Sequence, residues 1–280
     1  MTTARRATRN EALENLLAAA VLQLERDWSA LTDAQHAVLS ALRAARRRAT
    51  TARSVPPTVR AALDDFTAAT ARFNTDAGAL AERWAAVDLP RAYRLGAEDA
   101  LRSAVLEPDT PRPGFAWNTT HQGVLLVLTS ACYPVLLRRV ADTVRRAQAF
   151  ARAATTAARA EQEPLPDLGA EHPLDTVAYG NGARHPAASW ARAALAAQSV
   201  TVANTGALTA STTDLEARWV EVTDGPECGW TSHPELDRAH GTLRSAEEAA
   251  TYPIAHPGCL RRFIPRPDLN NAPVEEGQPI

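Results

Sequence analysis

The residues of this chain best suited to chemistry are two short pairs near its end, Cys228 with His233 and His256 with Cys259. They lie in Asp224-Gly-Pro-Glu-Cys-Gly-Trp-Thr-Ser-His233 and in Ala255-His-Pro-Gly-Cys-Leu-Arg-Arg-Phe-Ile-Pro265. Thiolate and imidazole are ligands that zinc prefers, and four of them close a tetrahedral structural site. Turn formers such as Asp-Gly and His-Pro let ligands so close in sequence converge on one centre. Cys228, His233, His256 and Cys259 are therefore the candidate metal ligands, and His240 could replace His233. Two other readings fit the same residues. The Asp224-Gly225-Pro226 stretch can be a tight turn, with both cysteines as small buried hydrophobes and the histidines bonding locally. A Cys-His hydrolase could instead use Cys228 as nucleophile, His256 as base and Asp224 to orient the base. A catalytic metal is poorly served, since no His-Glu-x-x-His helix supplies a general base.

The elements that must position these residues are mostly helical. Leu13, Leu17, Ala20, Leu24, Trp28 and Leu31 recur at spacings of three or four, which predicts one buried helix face. Thr32 and Gln35 have the form of a capping box, so a second helix is expected there, turning Ala34, Val38, Leu42 and Ala45 inward. Further helices are expected over 59–84 and 89–106. Three prolines between Glu107 and Gly114 predict a loop. A long helix follows, with Leu125, Leu128, Leu136, Val140, Val144 and Ala147 on its buried side and Pro134 kinking or dividing it. Cys132 is expected in its core. A Pro, Gly, Asp and His-rich stretch over 161–186 reads as a linker or crossover. Beyond it come a helix over 186–207, a strand over 218–224 ending in an Asp-Gly turn, and a short capped helix at 245–250. The predicted class is α+β, mostly α: a helical region over 1–160, the linker, a small turn-rich α+β domain over 187–267, and a disordered tail over 268–280.

Composition narrows the function. Of 280 residues 45% are hydrophobic and only 5% aromatic, so the core is expected to be thin and aliphatic. All 30 basic residues are Arg, as GC-rich codon usage produces. A net charge of -2 argues against a surface that binds nucleic acid all over, yet residues 1–60 carry 10 Arg against 5 acids and residues 207–280 carry 6 against 12. The basic run Arg43, Arg46, Arg47, Arg48 and Arg53, and Arg138, Arg139, Arg145, Arg146 and Arg152 on one helix, could contact DNA phosphates. Solvation of outer helix faces explains them more simply, because no aromatic residues interleave for base stacking. Three cysteines are too few for a disulfide scaffold, and a reducing cytoplasmic origin is expected. The apolar stretch 124–140 reaches Arg138 too soon to span a bilayer, so no membrane anchor is expected. Gly180-Asn-Gly182 is misplaced for a nucleotide loop, and no kinase, hydrolase or dinucleotide signature occurs. No small-molecule substrate is identified.

The order of a helix bearing Ala203 and Asn204, a strand bearing Trp219, then Asp224-Gly225-x-x-Cys228, then His256-Pro257-x-Cys259 and Pro265, resembles the Mu F-like minor head proteins of tailed bacteriophages. The variant resembles members from phages or prophages of GC-rich actinobacteria. The likeness is specific over about residues 199–265 and elsewhere extends only to helical character. Many members carry two further cysteines, where this chain has Thr231 and Arg261, so a four-cysteine site is excluded. The resemblance implies a low-copy virion component at the portal vertex or in the virion interior, assembled in the host cytoplasm. It would act in head assembly, DNA packaging or ejection, with the portal and other head proteins as partners and packaged DNA as a possible one. It does not imply catalysis.

Overall fold

The structure is a computed structural model and describes residues 8–48, 54–159, 166–179, 182–233 and 235–279. Arg53, residues 161–165 of the expected linker, and Gly180-Asn181 lie outside the described residues. The chain is mostly helical with small antiparallel sheets toward its end, which is the α+β, mostly α class. It divides into two units that do not follow the linear division expected from sequence. Unit 1 combines residues 1–19, 83–132 and 192–280, and unit 2 combines 20–82 and 133–191. Three long helices, α1 (Arg9–Arg48), α4 (Thr119–Arg159) and α6 (Ala187–Thr213), each contribute to both.

In unit 2, α2 (Pro57–Arg83) packs with the unit's share of α1 and α4. The core is more aromatic than the overall composition suggests. Trp28 meets Phe73 and Trp190 edge-on at 5.1 and 6.2 Å, and Phe66 meets Phe150 at 5.1 Å. No second helix begins at Thr32. Its hydroxyl donates to the Ser29 carbonyl, Gln35 donates to the His172 carbonyl, and α1 continues through both. A capping box needs its Thr outside the helix, and burial of Leu31, Val38 and Leu42 on one continuous face keeps Thr32 inside. The expected linker contains structure: α5 (Leu168–Glu171), and β1 (Thr176–Ala178) paired antiparallel with β2 (Arg184–Pro186). Arg139 donates to the Ala178 carbonyl, and Arg146 to those of Pro173 and Thr176. Two arginines considered for DNA contact therefore hold this hairpin.

In unit 1, one π-helical turn (Trp84–Asp88) leads into α3 (Leu89–Ser103). Pro90 explains the wider turn, since it has no N–H to give and its ring needs room at the carbonyl four residues back. Helices α3 and α6 cross at two glycines. A Cβ on Gly96 would overlap the Ala203 carbonyl, and one on Gly206 the Tyr93 carbonyl. Beyond α6, β3 (Trp219–Thr223) lies between β4 (Thr242–Ser245) and β5 (Arg262–Pro265), antiparallel to both. The expected capped helix is α7 (Ala246–Thr251), with Ser245 accepting from the Glu248 N–H. Val220, Val222, Trp230, Ala246, Ala249 and Phe263 form the core of this module with Leu208 of α6.

The last residues correct the expectation of a disordered tail. Gly277 donates to the Leu243 carbonyl, Leu243 to that of Gln278, and Pro279 bridges Thr242, so the tail covers the outer edge of β4. An open strand edge is a liability that such a cover removes. Helix α4 runs unbroken through Pro134, and the unit boundary falls next to that proline, between Cys132 and Tyr133. Among the described residues α4 alone is long and apolar enough to cross a membrane by length and composition. Cys132 is half-buried rather than core, and burial pushes its thiol up to about 11.

Candidate metal centre

Two turns converge beside the β3–β5 pair of unit 1. The chain leaves β3 at Asp224, turns at Gly225, where the Cys228 N–H donates to the Gly225 carbonyl, and places Cys228 inside. Gly225 is needed here because a Cβ would meet the Cys228 sulfur at 3.0 Å. The second turn, His256-Pro-Gly-Cys259, is closed by the Cys259 N–H on the His256 carbonyl, with Gly258 at a φ of 88° that favours glycine. Donor atoms of Cys228, His256 and Cys259 all come within 4.8 Å of one another, a group that could hold a metal ion. Cys228 Sγ is 3.4 Å from His256 Nε2. His256 Nδ1 lies 3.0 Å from the Pro257 carbonyl, which can only accept, so Nδ1 carries the proton and Nε2 offers its lone pair. That second contact is how metal-binding imidazoles are usually oriented.

His233 stands outside this group. It is exposed, with its ring 5.0 Å from the His256 ring. His240 is also exposed and accepts the Asp224 N–H through Nδ1 at 3.1 Å. Both sit on the loop between β3 and β4, which Glu235 ties down by accepting from the Thr231 and Ser232 N–H groups.

Both thiols are held above the ordinary thiol range. Burial raises Cys228 above the ordinary thiol range, and the charge of Asp224 adds to it, while a backbone hydrogen bond from Gly225 opposes. Burial likewise raises Cys259, again reinforced by Asp224, against backbone hydrogen bonds from Ala255 and Arg261. Such N–H donors suit sulfur when a metal replaces its proton. They do not make either thiol a good nucleophile, and Asp224 does not orient His256, whose Nδ1 is taken by Pro257.

Behind the three donors lies a buried polar frame that spacing alone does not reveal. Arg261, fully buried, donates from Nε to Asp224 Oδ2 at 2.9 Å and from its other nitrogens to the carbonyls of Gly229, Trp230 and Tyr252 at 2.8–2.9 Å. Its guanidinium also stacks 4.5 Å from the Trp230 ring centre. Cys259 Sγ lies 3.2 and 3.4 Å from the two Asp224 oxygens. Arg9, in the first turn of α1, donates to the Arg261 carbonyl and to Asn204 Oδ1, and Asn204 donates to the Pro253 carbonyl. Burial lowers Arg9 to about 10, so it remains a cation at neutral pH. In the sequence Arg261 stood out only through the resemblance, as a position where many Mu F-like proteins carry cysteine; Arg9 had no signal.

A second buried cluster in unit 1 surrounds His121. Its Nδ1 is 2.9 Å from the Tyr93 hydroxyl and its Nε2 is 3.2 Å from Asp214 Oδ2, among Phe115, Trp117 and Tyr93. Burial pushes Tyr93 up to about 12.

Comparison with known protein families, curated proteins and solved structures returns no match to this chain.

Proposed function

We propose that this chain is a non-enzymatic structural component of a tailed-phage head, present in few copies. It docks near the portal and acts in head assembly, DNA packaging or ejection. Zinc bound by Cys228, His256 and Cys259 holds its C-terminal module together. One observation carries the reading: each of the ten residues behind the Mu F-like resemblance has a structural task in unit 1. The Ala203 carbonyl abuts Gly96, Asn204 bridges Arg9 and Pro253, and in the sheet Trp219 pairs with Ser245 and Pro265 with Val220. Asp224, Gly225, Cys228, His256, Pro257 and Cys259 build the two turns and their contacts. A motif devoted wholly to holding a fold suits a scaffold or docking protein. The test is stoichiometry in purified particles. A few copies per particle, co-purifying with the portal ring, is the expected result; absence from particles overturns it.

The alternative, a hydrolase acting in capsid maturation, is favoured only by the 3.4 Å contact of Cys228 with His256. A thiol raised by burial opposes it. Labelling by iodoacetamide near neutral pH should be slow at Cys228, and rapid labelling there would revive it.

A further inference from the structure

Three protein donors leave a tetrahedral metal ion one ligand short. Resting on the metal reading above, we infer that Asp224, not His233, supplies the fourth ligand, with Arg261 as its fixed counter-charge. Around tetrahedral zinc, with Zn–S near 2.3 Å and Zn–N or Zn–O near 2.0–2.1 Å, neighbouring donors stand about 3.5 Å apart. The protein already holds donors at this spacing: Cys228 Sγ and His256 Nε2 at 3.4 Å, and Cys259 Sγ and Asp224 at 3.2 and 3.4 Å. The charge of Asp224 also acts on Cys228, where it adds to the rise of that thiol. It thus touches the sulfur of Cys259 and faces that of Cys228 with its charge, whereas His233 is exposed.

The Cys259–Asp224 contact is an S–H···O bond, which needs the thiol proton. When the ion displaces that proton, a thiolate and a carboxylate would face each other between fully buried side chains unless the cation lies between them. Sharing the ion resolves this. Two thiolates, one carboxylate and a divalent cation then sum to one negative charge, and the fully buried Arg261 supplies one positive charge. Arg261 and the Gly225 N–H each occupy one lone pair of Asp224, and a carboxylate offers about four such sites, so a position for the ion remains.

The experiment uses the full chain loaded with zinc for X-ray absorption and with cobalt(II) for optical spectra. The wild type should show two sulfur and two nitrogen or oxygen ligands, and azide should leave its cobalt spectrum unchanged because no position is open. His233→Ala should keep full metal content and the same spectrum. Asp224→Cys should show three sulfurs, with thiolate-to-cobalt intensity rising about 1.5-fold. Two sulfurs in Asp224→Cys, a spectrum altered by azide, or metal lost on His233→Ala would each overturn the inference. If Asp224→Cys does not fold, the azide and His233→Ala arms decide. A wild-type chain that takes up neither metal overturns the metal reading itself, which separates the two failures.

Discussion

The two units bury different kinds of matter. Unit 2 fills its interior with Trp28, Phe66, Phe73, Phe150 and Trp190, whose edge-on contacts tolerate small shifts. Unit 1 also buries aromatic residues, Trp84, Tyr93, Trp230 and Phe263, but adds the polar and charged Arg9, Asp99, His121, Asn204, Asp224, Arg244 and Arg261. Apolar packing is non-directional, and losing part of it costs in proportion to what is removed. A buried charge network fails unevenly, because removing one member leaves the others unsatisfied. Unit 1 should therefore be brittle to single polar substitutions and unit 2 graded in its response to apolar ones.

Arg261→Ala should have the largest effect. It orphans a fully buried Asp224 and three carbonyls, at a cost of about 3–5 kcal/mol. Hydrogen exchange should show β3, β4 and β5 losing protection while α2 keeps its own. Loss of protection in both units together would break the contrast. Phe150→Leu in unit 2 should cost about 1.5 kcal/mol by chemical denaturation, without local opening in unit 1.

The pH response of unit 2 gives a smaller, signed effect. Burial raises the Asp27 carboxyl, Asp76 adds to it, and Asp27 Oδ2 has no hydrogen-bond partner among the described residues. A raised folded pKa means that the folded state holds its proton longer than the unfolded state. Stability from this group is therefore full below the ordinary carboxylate range and falls as pH rises through the raised value. Asp27→Asn should stabilise unit 2 at pH 7 and have no effect at pH 3, measured by denaturation at both. A destabilised variant at pH 7 would show that Asp27 is satisfied as a charge. Smallest of all, Arg138→Gln with Arg145→Gln should change stability by less than about 0.5 kcal/mol and leave retention on duplex DNA unchanged. Arg146→Gln, by contrast, should raise exchange in the β1–β2 hairpin it tethers. Salt-sensitive DNA binding that the Arg138 and Arg145 pair abolishes would make this helix a nucleic-acid surface.

By itself the sequence determined what local physics governs. The i, i+3 and i+4 spacing of Leu13 to Leu31 places α1, three prolines keep 107–114 out of any helix, and Ser245 with Glu248 caps α7. The two turns presenting Cys228 and Cys259 were legible for the same reason, since Asp-Gly and His-Pro-Gly act over a few residues. Tertiary structure decided everything requiring partners far apart in the chain. The capping signal at Thr32 yields to burial of one long face, and the tail after Asp268 becomes ordered because β4 offers it an edge. At the candidate metal centre, Cys228 and His256 are 28 residues apart and Arg9 and Arg261 are 252 apart. No spacing rule reaches that distance. His233 is nearer to Cys228 in sequence than His256 is, yet the loop that Glu235 pins leaves it exposed. Asp224 is drawn inward because the buried Arg261 needs its charge. Which donors meet was settled by how the folded interior brings the two turns together, not by their spacing in the chain.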